Sequence, residues 1–154
     1  MLLTRSAKVL SGALVAVTLV WAQTPDMSGT WEMDAAKSKV TDGRAVTLVI
    51  ESAGKKIKLL ETSKNNAGKE TTAEFTCAPD GKECEFVEGG HKSKMSMWFM
   101  GDSLNVAKTD GPPGDVVDEW KLQMSPGGKA LTLTVTHIEP AGADETLAFS
   151  KKAP

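Results

Sequence analysis

Apolar residues recur at every second position over most of the chain. Val46, Leu48 and Ile50 share one parity, and so do Ile57 and Leu59, then Thr71, Ala73, Phe75 and Cys77, then Cys84 and Phe86. Met95, Met97 and Phe99 alternate with Lys94, Ser96 and Trp98; Val116, Trp120, Leu122 and Met124 fall on one parity with Asp118 between them. Leu131, Leu133, Val135 and His137 alternate with Thr132, Thr134 and Thr136, and Leu147 and Phe149 close the series. A period of two marks half-buried strands. Turn signals such as Thr41-Asp42-Gly43, Asn65-Asn66-Ala67-Gly68, Pro79-Asp80-Gly81, Gly89-Gly90 and Ser125-Pro126-Gly127-Gly128 separate them at intervals of about 10–15 residues, the spacing of consecutive short strands. The pattern predicts about ten strands, counting one at Gly29–Met33. An antiparallel chain of this kind must deal with its edges, and closure removes them. The expected fold is all-β, an antiparallel up-and-down meander barrel of 8–10 strands. Asp34 to Lys39 is the one helix candidate, a short N-terminal helical turn with Asp34 as N-cap. No βαβ unit or glycine-rich phosphate loop occurs, which argues against a nucleotide fold.

The start of the chain reads differently. Arg5 and Lys8 precede a mostly apolar stretch from Val9 to Val20, and Val20-Trp21-Ala22 offers a signal-peptidase site before Gln23. The stretch is too short to span a bilayer. Residues 1–22 are therefore expected to be a cleaved Sec-type signal peptide without a lipidation cysteine, and residues 23–154 a single domain. The expected location is periplasmic or secreted, with no membrane insertion after cleavage. Loss of Arg5 and Lys8 takes the formal charge from −2 to −4. Arg44 is then the only arginine, which argues against a nucleic-acid partner. In an exported chain the two cysteines, Cys77 and Cys84, are expected to form a disulfide, facing each other across a hairpin that turns at Pro79-Asp80-Gly81.

Gly29-Thr30-Trp31 resembles the Gly-x-Trp opening of lipocalins and related calycin barrels. The longer string from Gly29 to Lys39 is similar to the start of a group of small exported bacterial proteins described as lipocalin-like and uncharacterised. The resemblance implies a barrel in which a basic residue of the last strand packs across the first tryptophan. Lys151 or Lys152 stands where that residue is expected, and a lysine stem over an indole combines packing with a cation–π contact. Trp31 is then a structural plug at the closed end. Two features depart from the pattern: a lysine replaces the usual arginine, and the cysteines are not at the common positions.

Candidate chemistry follows from the expected interior. Phe75, Phe86, Met95, Met97, Phe99 and Trp120 would line it, with His137 as a polar group satisfied by a carbonyl or threonine. A one-residue slip would exchange the faces. The leading reading is non-catalytic binding of a small, mostly apolar molecule, with no cofactor. An alternative uses Met95, Met97 and His91 as Cu(I) ligands beside Trp98, since thioethers suit Cu(I). On a strand, however, Met95 and Met97 point away from Trp98 and Met100. A filled barrel acting as an interaction module is the third reading. Asp115, Asp118 and Glu119 read as solvated strand-end charges beside the stiff Gly111-Pro112-Pro113-Gly114 loop. No Gly-x-Ser-x-Gly elbow or other nucleophile–base arrangement is legible, so no catalysis is expected.

Overall fold

The computed structural model describes residues 24–88, 91–110 and 117–153. The proposed signal peptide, Gly89-Gly90, and the segment carrying Pro112, Pro113, Asp115 and Val116 lie outside the described residues.

Ten antiparallel strands follow one another: β1 (Gly29–Met33), β2 (Ala45–Ala53), β3 (Lys56–Lys64), β4 (Glu70–Cys77), β5 (Asp80–Glu88), β6 (His91–Met100), β7 (Ser103–Asp110), β8 (Val117–Met124), β9 (Ala130–Glu139) and β10 (Glu145–Lys151). They form one sheet in the order β4-β3-β2-β1-β10-β9-β8-β7-β6-β5. The sheet curls into a nearly closed barrel. Its two edges, β4 and β5, are consecutive in sequence and meet at a seam without a backbone ladder between them. The alternation of apolar residues is the physical cause of closure, because every strand buries one face. Leu48, Leu59, Phe75, Met97, Leu104, Leu122, Leu131 and Leu147 are all essentially inaccessible inside one core.

The two ends differ. At one, Trp31 is wholly buried and its indole N–H donates to the carbonyl of Met27, 2.9 Å away. Met27 belongs to the segment that leads into β1 and is itself buried. Trp31 lies opposite Lys151 in the β1–β10 register, and the Lys151 ammonium stands 5.3 Å from the indole centroid. Gly29 makes this possible. A Cβ at residue 29 would lie 2.6 Å from Cε of Lys151, and the backbone there has φ of 137°. The Gly-x-Trp opening is thus a passage for a lysine stem. Lys152 has the opposite parity and pairs on the exposed surface with Glu32 at 2.8 Å.

At the other end the chain passes from β1 to β2 through residues 34–44. The expected helical turn is one hydrogen-bonded turn rather than a helix. The Lys37 amide donates to the Asp34 carbonyl at 3.1 Å, and the Asp34 carboxylate accepts from the Ala36 amide at 3.1 Å. The segment goes no further because β10 claims it: Lys39 and Thr146 exchange backbone hydrogen bonds at 2.6 and 2.9 Å.

Candidate functional site

The strands place a row of side chains on the inner wall. Register aligns Cys84 of β5 with Met95 of β6, Met95 with Lys108 of β7, Lys108 with Asp118 of β8, and Asp118 with His137 of β9. Lys108 is buried, and its ammonium lies 5.7 Å from each of three ring centroids, those of Phe75, Phe86 and Trp120. The rings pack edge to face, Phe75 with Phe86 at 4.7 Å and Phe75 with Trp120 at 5.6 Å. Such contacts favour a cation over the ring faces. The indole N–H of Trp120 is buried and meets no hydrogen-bond acceptor among the described residues. A buried donor left unpaired costs about 1–3 kcal/mol.

Behind this aromatic cage lies an ionic cluster. Asp118 and His137 hydrogen-bond at 2.7 Å, Oδ1 to Nδ1. The other ring nitrogen of His137 is 3.9 Å from the Glu145 carboxylate. Among the described residues Glu145 is the most buried acid, its side chain 2 % exposed. Arg44 holds it with both guanidinium nitrogens, and the amide and hydroxyl of Thr41 donate to its Oε1 at 2.9 and 2.8 Å. The Arg44 guanidinium, aided by Thr41 and opposed by burial, lowers the Glu145 carboxyl to a pKa of about 2. The bonds to Glu145 and, less strongly, to Asp42 raise the Arg44 pKa against the effect of burial.

A pocket of about 290 Å³ opens at the Trp31 end. Thr24 to Met27 form one wall, the β2–β3 turn with its flanking residues Ile50, Ser52 and Ile57 another, and Pro79, Phe99 and Leu104 the rest.

The structure brings Phe75, Phe86, Met95, Met97 and Trp120 to the interior. Phe99 is only half-buried and lines the pocket at the Trp31 end instead. His137 does turn inward, but a carboxylate satisfies it rather than a carbonyl or threonine. Asp118 is therefore corrected from a solvated charge to a buried partner. Glu119, on the opposite parity, is exposed as expected. His91 is exposed at the start of β6, and four strand residues, about 13 Å, separate it from buried Met95. The strand does not bring the three proposed copper ligands together. The disulfide between Cys77 and Cys84 is present, but the hairpin expectation is corrected: β4 and β5 are the sheet's two edges, so the bridge spans the seam.

Sequence reasoning missed Lys108, Arg44 and Glu145. A usable signal existed for two of them. Lys108 continues the inward parity of Leu104 and Val106, and Glu145 that of Leu147 and Phe149.

No protein-family model and no curated protein sequence matches the chain. Solved structures do. Apo lipid binding protein 8 of Caenorhabditis elegans superposes with a TM-score of 0.62 at 11% identity, covering 82% of this chain and 95% of that one. The Schistosoma mansoni fatty acid binding protein in complex with arachidonic acid gives 0.57 at 15% identity, covering 82% and 96%. The fatty-acid-binding protein of Manduca sexta gives 0.53 at 18% identity, covering 80% and 97%. The fold is that of the fatty-acid-binding barrels. At these identities the likeness speaks for architecture, and the chemistry must come from the site itself.

Proposed function

We propose that this chain is an extracytoplasmic, non-catalytic binding protein whose barrel takes a small, mostly apolar molecule carrying a hydrogen-bond acceptor. The carrying observation is the indole N–H of Trp120, unpaired among the described residues, in a wall where aromatic rings meet the Lys108 ammonium. Binding sites are commonly apolar cavities with a few well-placed polar groups, and this wall has that composition. A ligand acceptor would satisfy the donor that the described residues leave unpaired. The structural neighbours, lipid- and fatty-acid-binding by name, support an apolar ligand class. The signal-like sequence of residues 1–22 and the Cys77–Cys84 disulfide support the extracytoplasmic part of the reading.

Fluorescence titration with 1-anilinonaphthalene-8-sulfonate tests it, since the probe joins an apolar ring system to an acceptor. Wild-type protein should bind with enhanced emission. Trp120→Phe should weaken binding about tenfold, the effect of losing one buried hydrogen bond, while leaving the empty protein as stable or more stable. Opposite signs for affinity and stability are the signature of a donor reserved for ligand. Equal affinities would remove the acceptor site, and no binding by either protein would mean a filled barrel.

A further inference from the structure

Among the described residues the seam between β4 and β5 closes without a backbone ladder, and side chains bridge it. Two inward pairs bridge it. Cys77 is bonded to Cys84, with Cα atoms 6.0 Å apart, and Phe75 packs on Phe86 at 4.7 Å. The pairs are spaced as antiparallel partners are, two residues forward on one strand for two back on the other. Elsewhere neighbouring strands are joined by ladders, such as Ala45–Ala53 with Lys56–Lys64, or Glu145–Ser150 with Ala130–Val135. Parting such strands breaks a row of hydrogen bonds, whereas parting β4 from β5 breaks no ladder, only side-chain packing such as the Phe75–Phe86 contact, once the disulfide is gone. The barrel wall is weakest there.

The seam also leads straight to the site. Phe75 and Phe86 are two of the three rings around Lys108, and Phe75 touches the third, Trp120. Cys84 lies beside Met95, which lies beside Lys108. A gap between β4 and β5 would therefore expose the aromatic cage and the orphan indole N–H.

Resting on the binding function proposed above, we infer that the β4–β5 seam is the route by which ligand reaches Lys108 and Trp120, and that the Cys77–Cys84 disulfide is its redox-sensitive latch. The co-reactant is a dithiol. One of its thiolates attacks the sulfur of Cys84, the less buried of the pair, and Cys77 leaves as a thiolate that takes up a proton. The second thiolate of the dithiol then attacks its own sulfur in the mixed disulfide, releasing Cys84, which is protonated in turn. Two electrons pass to the protein, and the dithiol ends as a disulfide. Oxidised protein holds its ligand behind a stapled seam, and reduced protein exchanges it quickly.

The test compares oxidised protein, protein reduced with dithiothreitol, the double variant Cys77→Ser/Cys84→Ser, and protein whose two cysteines are joined by a non-reducible methylene bridge. Stopped-flow association and dissociation of 1-anilinonaphthalene-8-sulfonate gives the rates, and amide hydrogen exchange gives the site of opening. Reduction and the double variant should raise both rates about tenfold or more while the dissociation constant moves less than about threefold, because a gate lowers a barrier without changing its end states. The methylene-bridged protein should stay slow in dithiothreitol. Exchange should quicken in β4 and β5 and stay unchanged in β8 and β9. Unchanged probe rates after reduction would overturn the latch and leave the binding function standing. Exchange quickened equally in all strands would overturn it too, making the disulfide a general stabiliser. If no form binds the probe, the binding function fails by itself, and the exchange pattern still decides whether the seam opens.

Discussion

The two ends of the barrel are closed by different physics. At the Trp31 end the closure is mostly apolar: one buried indole, a buried Met27, a single hydrogen bond to a backbone carbonyl, and the Lys151 stem across the ring. At the Glu145 end it is ionic: Arg44, Glu145, Thr41, His137 and Asp118 form a connected set. An apolar plug draws its stability from removed surface and packing, which respond little to pH or salt. A buried ionic cluster depends on every partner being present and on its protonation state. The proposed binding elements, Lys108 and Trp120, stand on the ionic side of the core, where polar groups are already within reach of the interior.

The largest expected effect lies at the apolar end. Trp31→Ala should cost about 3–5 kcal/mol, the range for emptying a large aromatic site in a packed core. Urea unfolding followed by circular dichroism measures it. The loss should be the same at pH 5 and pH 7, within error, because Trp31 is held by packing, a hydrogen bond to a backbone carbonyl and the Lys151 side chain, with no carboxylate or imidazole against it. A loss under about 1 kcal/mol would show that the plug contributes little, and the contrast between the ends would fail.

How far sequence alone could foresee these ends depends on how each is built. The strands were legible because Leu131, Leu133 and Val135, or Val46, Leu48 and Ile50, repeat a local period that burial imposes on any sheet. Trp31 and its lysine were legible through a local motif, although choosing Lys151 over Lys152 required the β1–β10 register. The pairing at the ionic end was not legible. Parity turns Glu145 inward with Leu147 and Phe149, but Arg44 is 101 residues away and looks like an ordinary strand-end charge until the barrel closes. Asp118 was misplaced for the same reason, since its partner arrives from another strand. The seam is a property of strand order, so no local pattern announces that Cys77 and Cys84 bridge two edges.

The next effect belongs to the ionic end and should appear as acid sensitivity. Glu145 titrates at about 2 in the folded protein against an ordinary value of 4.5. A carboxylate with a depressed pKa stabilises the fold fully above its unfolded value, and the stabilisation is lost as pH falls through the folded value. The difference amounts to about 3 kcal/mol. Glu145→Gln removes the titration while keeping an acceptor for Thr41. The stability gap between wild type and Glu145→Gln should therefore shrink by about that amount between pH 6 and pH 2, measured by urea unfolding across pH. A gap that stays constant would mean that Arg44 does not hold the carboxylate as the geometry requires.

The smallest effect resolves the apolar end more finely, by separating its backbone from its lysine. Gly29→Ala meets two obstacles, a positive φ and the Lys151 stem 2.6 Å from the new Cβ. Together they should cost about 1–3 kcal/mol. Lys151→Ala alone should cost about 0.5–1 kcal/mol, the worth of an exposed cation–π contact, and Lys152→Ala should stay within about 0.5 kcal/mol as a surface ion-pair change. In the double variant the stem is gone, so only the backbone cost remains. Its loss should fall short of the sum of the single losses by about 1 kcal/mol, a coupling of the size seen between residues in contact. Strict additivity would mean that residue 29 must be glycine for its dihedral angle alone. The measured coupling would mean that the glycine is there to let the lysine cross to Trp31.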